Sequence, residues 1–292
     1  MNFINTSTAA RKENYMFAIR LFENSMPLFK YRQLAFISAV FGFVILFPSI
    51  PKAFDIKAKQ AILVDFDTGE ELYEKNADEL MSPASMTKLM TVYLIFERLK
   101  DGRLLLDDEL NVSRKAWKKG GSKMFVEVGK QVRIEDLIRG IVVQSGNDAT
   151  IVVAEGLSGS EEAFAQEMTT KARELGMSNS NFRNASGWPD PEHRTTARDL
   201  AILTEATIRE FPDFYRYYAE ATFSYSGIKQ SNRNPLLGRY NGADGLKTGY
   251  TENAGYGLTS SATKNGRRLI LVLNGMPSEK TRKIKSRRLL DW

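Results

Sequence analysis

The chain runs to 292 residues, 42% hydrophobic and 26% charged, which excludes a disordered or fibrous protein and leaves ample material for a buried core. Its 41 Lys and Arg against 35 Asp and Glu give a net charge of +6, suited to an anionic surface or polymer but spread too evenly to point to nucleic acid. With no cysteine and one histidine, His193, disulfides, thiolate chemistry and histidine-rich metal sites are excluded, and any Ser-His-Asp triad has to use that single imidazole.

Residues 34–50, LAFISAVFGFVILFPSI, carry no charge, follow Lys30 and Arg32, and are followed by Pro51-Lys52-Ala53. A cationic segment, an apolar run and a small residue form the pattern of a secretory signal. The run is slightly short of the roughly twenty apolar residues of a membrane span, and an uncleaved N-terminal anchor is the alternative. Residues 1–25 are a long polar leader for a signal, so translation is expected to begin at Met26 and the mature chain near Phe54.

Beyond that segment, residues 60–66 and 71–73 flank the turn signal Asp67-Thr68-Gly69 and predict a β-hairpin. Ser82-Pro83-Ala84-Ser85 precedes MTKLMTVYLIFERLK, a helix with serine at its entrance and Gly102 near its exit. Residues 134–144 predict a second helix, apolar at 134, 137, 138, 141 and 142, which breaks at Ser145-Gly146-Asn147 before a third helix opens at Asp148. Helices follow at 161–175 and 196–210. Residues 242–251, 255–262 and 268–274 are strand-like, the last pair joined by the hairpin turn Lys264-Asn265-Gly266, and a basic helix occupies 279–292. Strands at both ends around a helical middle predict a mixed α/β (α+β) domain, one sheet shared between the termini with a helical cluster inserted. No repeat or low-complexity linker interrupts residues 54–292, which are expected to form one domain behind a leader, signal or anchor at 1–53.

Three short signatures occur in order: Ser85-Met86-Thr87-Lys88, Ser145-Gly146-Asn147 and Lys247-Thr248-Gly249. S-x-x-K alone says little, since it recurs at Ser49, Ser226 and Ser261, but only Ser85 falls at a predicted helix start with its lysine one turn on. The other two signatures occur once each. A serine hydroxyl needs a base, and a lysine amine serves when burial and a nearby cation hold it neutral; Lys88 is placed for that role, with Lys247 as the second cation. The helix start at Ser85 offers a backbone N–H to a developing oxyanion. On its strand, Lys247 attracts an anionic group and Gly249 leaves room for close backbone approach. Ser145 supplies a hydroxyl for proton relay and Asn147 an amide to hold substrate or lysine.

The three signatures resemble those of penicillin-binding proteins and serine β-lactamases. The likeness is strongest to low-molecular-mass D-alanyl-D-alanine carboxypeptidases. It runs from about Ala53 onward through ASMTKLMT, QSGNDA, the segments around Asn184–Trp188 and His193–Asp199, and GADGLKTGYTENAGYGLTSSATKNGRRLI. It implies a DD-peptidase/β-lactamase-like fold with an antiparallel sheet, and stem peptides of peptidoglycan ending in D-Ala-D-Ala as substrate. It also implies β-lactams as covalent inhibitors, no cofactor, no metal and no nucleic acid, and a place in the periplasm or on the outer face of the membrane. It implies that Ser85 is acylated, that Lys88 is the base and that Ser145 passes a proton to the leaving amine while Asn147 orients the substrate. Lys247, Thr248, Gly249 and Arg282 would receive the terminal carboxylate, and the backbone N–H groups of Ser85 and Tyr250 would form the oxyanion hole. Some relatives carry histidine where Tyr250 stands, a change that keeps the backbone donor. Relatives of this type continue into a β-rich domain and an anchoring helix that this sequence does not include, through truncation or because this member lacks the anchor.

Beside these, His193 is expected to have a structural or surface role, the KTRKIKSRR run to be a solvated helix face, and Phe214, Tyr215, Tyr217 and Tyr218 to be partial core. Met86 and Thr87 are expected to pack. A DD-endopeptidase is the nearest alternative and a non-catalytic wall-binding protein the next. A class A β-lactamase is disfavoured because no E-x-x-L-N lies between the second and third signatures; the nearest string, Asp107 to Asn111, precedes Ser145.

Overall fold

Strand β1 (Gln60–Asp65) is buried along its whole length, and its period-two alternation shows why. Ile62 and Val64 enter one apolar cluster, Ala61 and Leu63 another on the opposite face. The computed structural model describes residues 56–292, so the expected signal segment and the starts at Met26 and Phe54 lie outside the described residues. Among the described residues no helix is long and apolar enough to cross a membrane.

β1 pairs with β2 (Glu71–Lys75) through a turn in which the Asp65 carboxylate accepts the N–H groups of Asp67 and Thr68. Then come α1 (Lys88–Lys100), β3 (Glu109–Asn111), α2 (Arg114–Lys118), β4 (Gln131–Arg133), α3 (Ile134–Val142), α4 (Asn147–Ser158), α5 (Glu161–Glu174), α6 (Ala197–Glu210) and α7 (Pro212–Tyr215). After these follow β5 (Thr222–Tyr225), β6 (Ile228–Ser231), β7 (Ala243–Thr251), β8 (Gly255–Lys264), β9 (Arg267–Met276) and α8 (Glu279–Asp291). β1 lies beside β9, giving a five-stranded antiparallel sheet in the order β2-β1-β9-β8-β7, built from both ends of the described chain as the sequence predicts. The small antiparallel pairs β3–β4 and β5–β6 are not legible in the sequence, because strands of three or four half-exposed residues carry too little alternation to register.

α6 covers one face of the sheet and α8 the other. In α8 only Arg282, Ser286, Leu289 and Leu290 are buried, so most of the basic run is a solvated face as expected. α1 is buried almost all round, as an apolar stretch without a polar stripe must be. Tyr215, Tyr217 and Tyr218 join its cluster, with Tyr217 and Phe214 stacked on Phe96, which makes them core.

The turn that leads into α1 is pressed against the sheet at a pair of glycines facing each other across β7 and β8, Gly249 and Gly257. A Cβ on Gly249 would stand 2.8 Å from the Pro83 carbonyl oxygen, and one on Gly257 would stand 2.7 Å from Met86 Cε. The missing side chains admit the turn that carries Ser85, so the close approach at Gly249 is between two parts of the fold.

Candidate active site

The sequence predicts Ser85 at the N-terminus of an α-helix. The structure places it instead inside a 3-10 turn, Ala84–Thr87, with Lys88 as the first residue of α1. Tight winding brings residues three apart onto one side, and Lys88 Nζ stands 3.1 Å from Ser85 Oγ.

Two further oxygens surround the Lys88 amine: Asn147 Oδ1 at 2.8 Å and the Ser186 carbonyl at 2.6 Å. The Asn147 amide is oriented by its Nδ2, which donates to the Gly120 carbonyl at 2.9 Å and leaves the oxygen for the lysine. Lys88 is 1% exposed. Burial pushes its amine down from the ordinary lysine range to about 7, the charges of Arg233 and Lys119 push the same way, and Asp148 and Glu161 oppose them. The sequence offers Lys247 as the second cation; Lys88 and Lys247 act on each other, and Arg233 and Lys119 push Lys88 in the same direction. Lys247 is 2% exposed, and burial, followed by Lys88, Arg233 and Arg282, drives its own amine well below the usual range.

The Ser186 carbonyl is delivered by a turn that Asn184 organises. Its Oδ1 accepts the N–H groups of Ser186, Gly187 and Trp188 at 3.2, 2.8 and 3.0 Å. Gly187, at φ +80°, lies so close to the Ala84 carbonyl that a Cβ would stand 1.8 Å from its oxygen, so only glycine fits. His193 braces the same neighbourhood. Its Nδ1 accepts from the Arg183 N–H at 3.1 Å, which leaves Nε2 to carry the ring proton and donate to Thr87 Oγ1 at 2.8 Å. Burial pushes the imidazole down to about 4, so at neutral pH it is an uncharged strut of the turn.

Ser145 is 1% exposed, sits at φ +61°, and its Oγ has no hydrogen-bond partner among the described residues. A non-glycine residue held in the left-handed region costs energy that its surroundings must supply. The Asp148 carboxylate helps, accepting N–H groups from Met124, Phe125 and Val126 at 2.8, 2.8 and 3.2 Å and so fixing the neighbouring loop. A cavity of about 300 Å³ opens in front of these groups. Of the predicted residues, Ser85, Ser145, Thr248, Gly249, Tyr250 and Arg282 line it; Lys88 and Asn147 adjoin it through their contacts with one another and with Ser85. Lys247 precedes Thr248 on β7 and donates to the Thr248 carbonyl at 3.1 Å. Arg282 is buried, with Nη1 donating to the Gly257 carbonyl at 3.3 Å, and Nε has no partner among the described residues. The exposed Tyr250 ring leans on Tyr256 with centroids 4.2 Å apart.

A sequence model of the family described as D-alanyl-D-alanine carboxypeptidase matches residues 48–278. The chain belongs to that family. It is 40% identical over 242 residues to the D-alanyl-D-alanine carboxypeptidase DacA of Haemophilus influenzae, covering 81% of this chain and 62% of that protein. The crystal structure of the D-alanyl-D-alanine carboxypeptidase DacD from Francisella tularensis superposes with a TM-score of 0.80 at 33% identity, over 82% of this chain and 71% of that one. Penicillin-Binding Protein D2 of Listeria monocytogenes, in its ampicillin-bound form, superposes with a TM-score of 0.74 at 30% identity, over 81% of this chain and 97% of that one. The chain therefore spans about three fifths of the length of the first of these carboxypeptidases and has the DD-peptidase fold that the family resemblance implies.

The sequence did not single out Arg233, which lines the cavity and donates to Ser122 Oγ at 2.6 Å, and no local pattern marks it. It also passed over Asp148 and the Ser186 carbonyl, although Asp148 directly follows the second signature and Ser186 lies in the quoted segment Asn184–Trp188.

Proposed function

We propose that the protein is an exported serine D-Ala-D-Ala carboxypeptidase that removes the terminal D-alanine from peptidoglycan stem peptides through an acyl-enzyme on Ser85. The observation that carries this reading is the ring of oxygens around Lys88. A protonated amine donates to all three. A neutral amine has two hydrogens, and Asn147 Oδ1 and the Ser186 carbonyl can only accept, so they take both. The lone pair then turns to Ser85, whose O–H donates to it. That is the arrangement of a base about to take the nucleophile's proton, and an amine brought down to about 7 is partly neutral at physiological pH.

In this mechanism Ser85 Oγ attacks the carbonyl carbon of the penultimate D-alanine as its proton passes to Lys88 Nζ. The backbone N–H groups of Ser85 and Tyr250 receive the oxyanion. Collapse breaks the C–N bond, and the proton returns from Lys88 through Ser145 to the leaving amine; water then hydrolyses the ester. Lys247, Thr248 and Arg282 hold the terminal carboxylate, and that carboxylate supplies the counter-charge that draws the Lys247 amine back to its protonated form. A penicillin offers the same features, a strained amide beside a carboxylate: Ser85 Oγ attacks the β-lactam carbonyl, the ring C–N bond breaks, and the expelled amine stays tethered to the acyl group on Ser85. The positive charge of the chain suits the anionic wall in which the substrate lies.

The test is release of D-alanine by the purified chain from a peptide ending in D-Ala-D-Ala. Ser85→Ala is expected to abolish it; release at the wild-type rate in that variant overturns the assignment. Products from cross-linked muropeptides separate a carboxypeptidase from an endopeptidase.

A further inference from the structure

The reading above occupies the β7 wall of the cleft with the carboxylate at the end of the peptide. The acyl half of the substrate is left to the wall that carries Asn147, and there stand Trp188, which has no role so far, and Lys119, whose charge acts on the Lys88 amine. Trp188 is 43% exposed although the turn beneath it is tied down by Asn184. Lys119 Nζ lies 4.4 Å above the centre of its ring. Gly121 is wedged between this pair and the site: a Cβ there would stand 3.2 Å from Trp188 Cζ3 and 2.7 Å from Asn147 Nδ2. The indole is therefore in line with the amide that faces Lys88.

Two other lysines of the same stretch, Lys115 and Lys123, are held in a different way. Lys115 pairs with the Glu161 and Glu162 carboxylates, and Lys123 donates to the Trp117 carbonyl. Lys119 has no carboxylate partner among the described residues and rests on the ring face, which attracts a cation but does not neutralise it. An ammonium parked on an exposed aromatic offers an apolar platform for methylene groups and an uncompensated positive charge at its edge.

We propose that Trp188 and Lys119 form a subsite for the acyl half of the substrate that takes a side chain ending in a free carboxylate. The methylenes of that side chain lie along the indole, and its carboxylate pairs with the Lys119 ammonium. The assignment rests on the carboxypeptidase reading and adds to it the side-chain chemistry the enzyme prefers.

Two synthetic peptides test it, both ending in L-Lys-D-Ala-D-Ala with an acetylated α-amine: one acetylated and one succinylated on the lysine Nε. Since Lys119 also acts on the Lys88 amine, each variant is measured on both peptides so that this effect cancels in the ratio of kcat/KM. The wild type is expected to favour the succinyl peptide by about two- to fivefold, expressed in KM, the range of a partly exposed ion pair. Lys119→Ala should bring the ratio to about one and Lys119→Glu should invert it, while Trp188→Leu lowers kcat/KM for both peptides and Trp188→Phe restores part of the loss. A ratio unchanged in Lys119→Glu, with D-alanine still released, overturns the subsite alone. No release from either peptide by the wild type removes the carboxypeptidase reading and the subsite with it.

Discussion

Two lysines are buried a short distance apart in this protein, and they are buried differently. Lys88 is surrounded by three oxygens at 2.6–3.1 Å, two of them fixed acceptors held by Asn184 and by the Asn147–Gly120 bond. Lys247 donates to one carbonyl, and Lys88, Arg233 and Arg282 all act on it with the same sign as burial. Burial lowers both amines, yet the surroundings give them different uses. A lysine with enough acceptors to be content neutral or charged is suited to passing a proton. One packed among cations gains most when an anion arrives, and is suited to holding a carboxylate.

The sharpest way to break this contrast is Lys88→Arg, which keeps length and charge but cannot deprotonate. Loss of a positioned base predicts a fall of about 10³-fold or more in D-alanine release, measured as kcat/KM. Lys247→Gln removes the charge proposed to meet the carboxylate while keeping a polar group; a fall of about 10- to 100-fold is expected, carried mainly by KM, in keeping with a charge-assisted hydrogen bond. Gly249→Ala tests the spacing of the two walls. The added Cβ meets the Pro83 carbonyl oxygen at 2.8 Å, and strain of roughly 1–3 kcal/mol is expected in thermal or denaturant unfolding. The smallest effect belongs to Arg233→Gln, which removes the leading cation acting on Lys88. The Lys88 pKa then rises, a larger share of the amine is protonated at a given pH, and the acid limb of the pH–rate profile moves to higher pH.

The sequence made the scaffold legible where its signals were long. Helix α3 follows from the apolar positions 134, 137, 138 and 141, and the β8–β9 hairpin from Asn265-Gly266, both of which adopt the positive φ such a turn needs. Helix α6 starts after Thr196, whose side chain accepts the Asp199 N–H, one residue inside the predicted boundary. In the site, the side chains that recur in the three signatures were legible because each has a distinctive chemistry at a distinctive spacing. What stayed hidden was of another kind. The Ser186 carbonyl is a main-chain group that any residue could present, Arg233 reaches the cavity from a distant connection, and the 3-10 winding at Ser85 depends on Gly249 and Gly187 making room from elsewhere in the chain. Such features are set by packing, and no local pattern of residues encodes them.

The central claim is that Lys88 is neutral when it takes the proton of Ser85. The most direct measurement is the rate at which a fluorescent penicillin acylates the protein as a function of pH, with the modified residue mapped by mass spectrometry. The account predicts label on Ser85 alone and a rate that rises with pH through an inflection near 7, as the amine loses its proton. A rate that stays level from pH 5 to 9, or label on another residue, would contradict it.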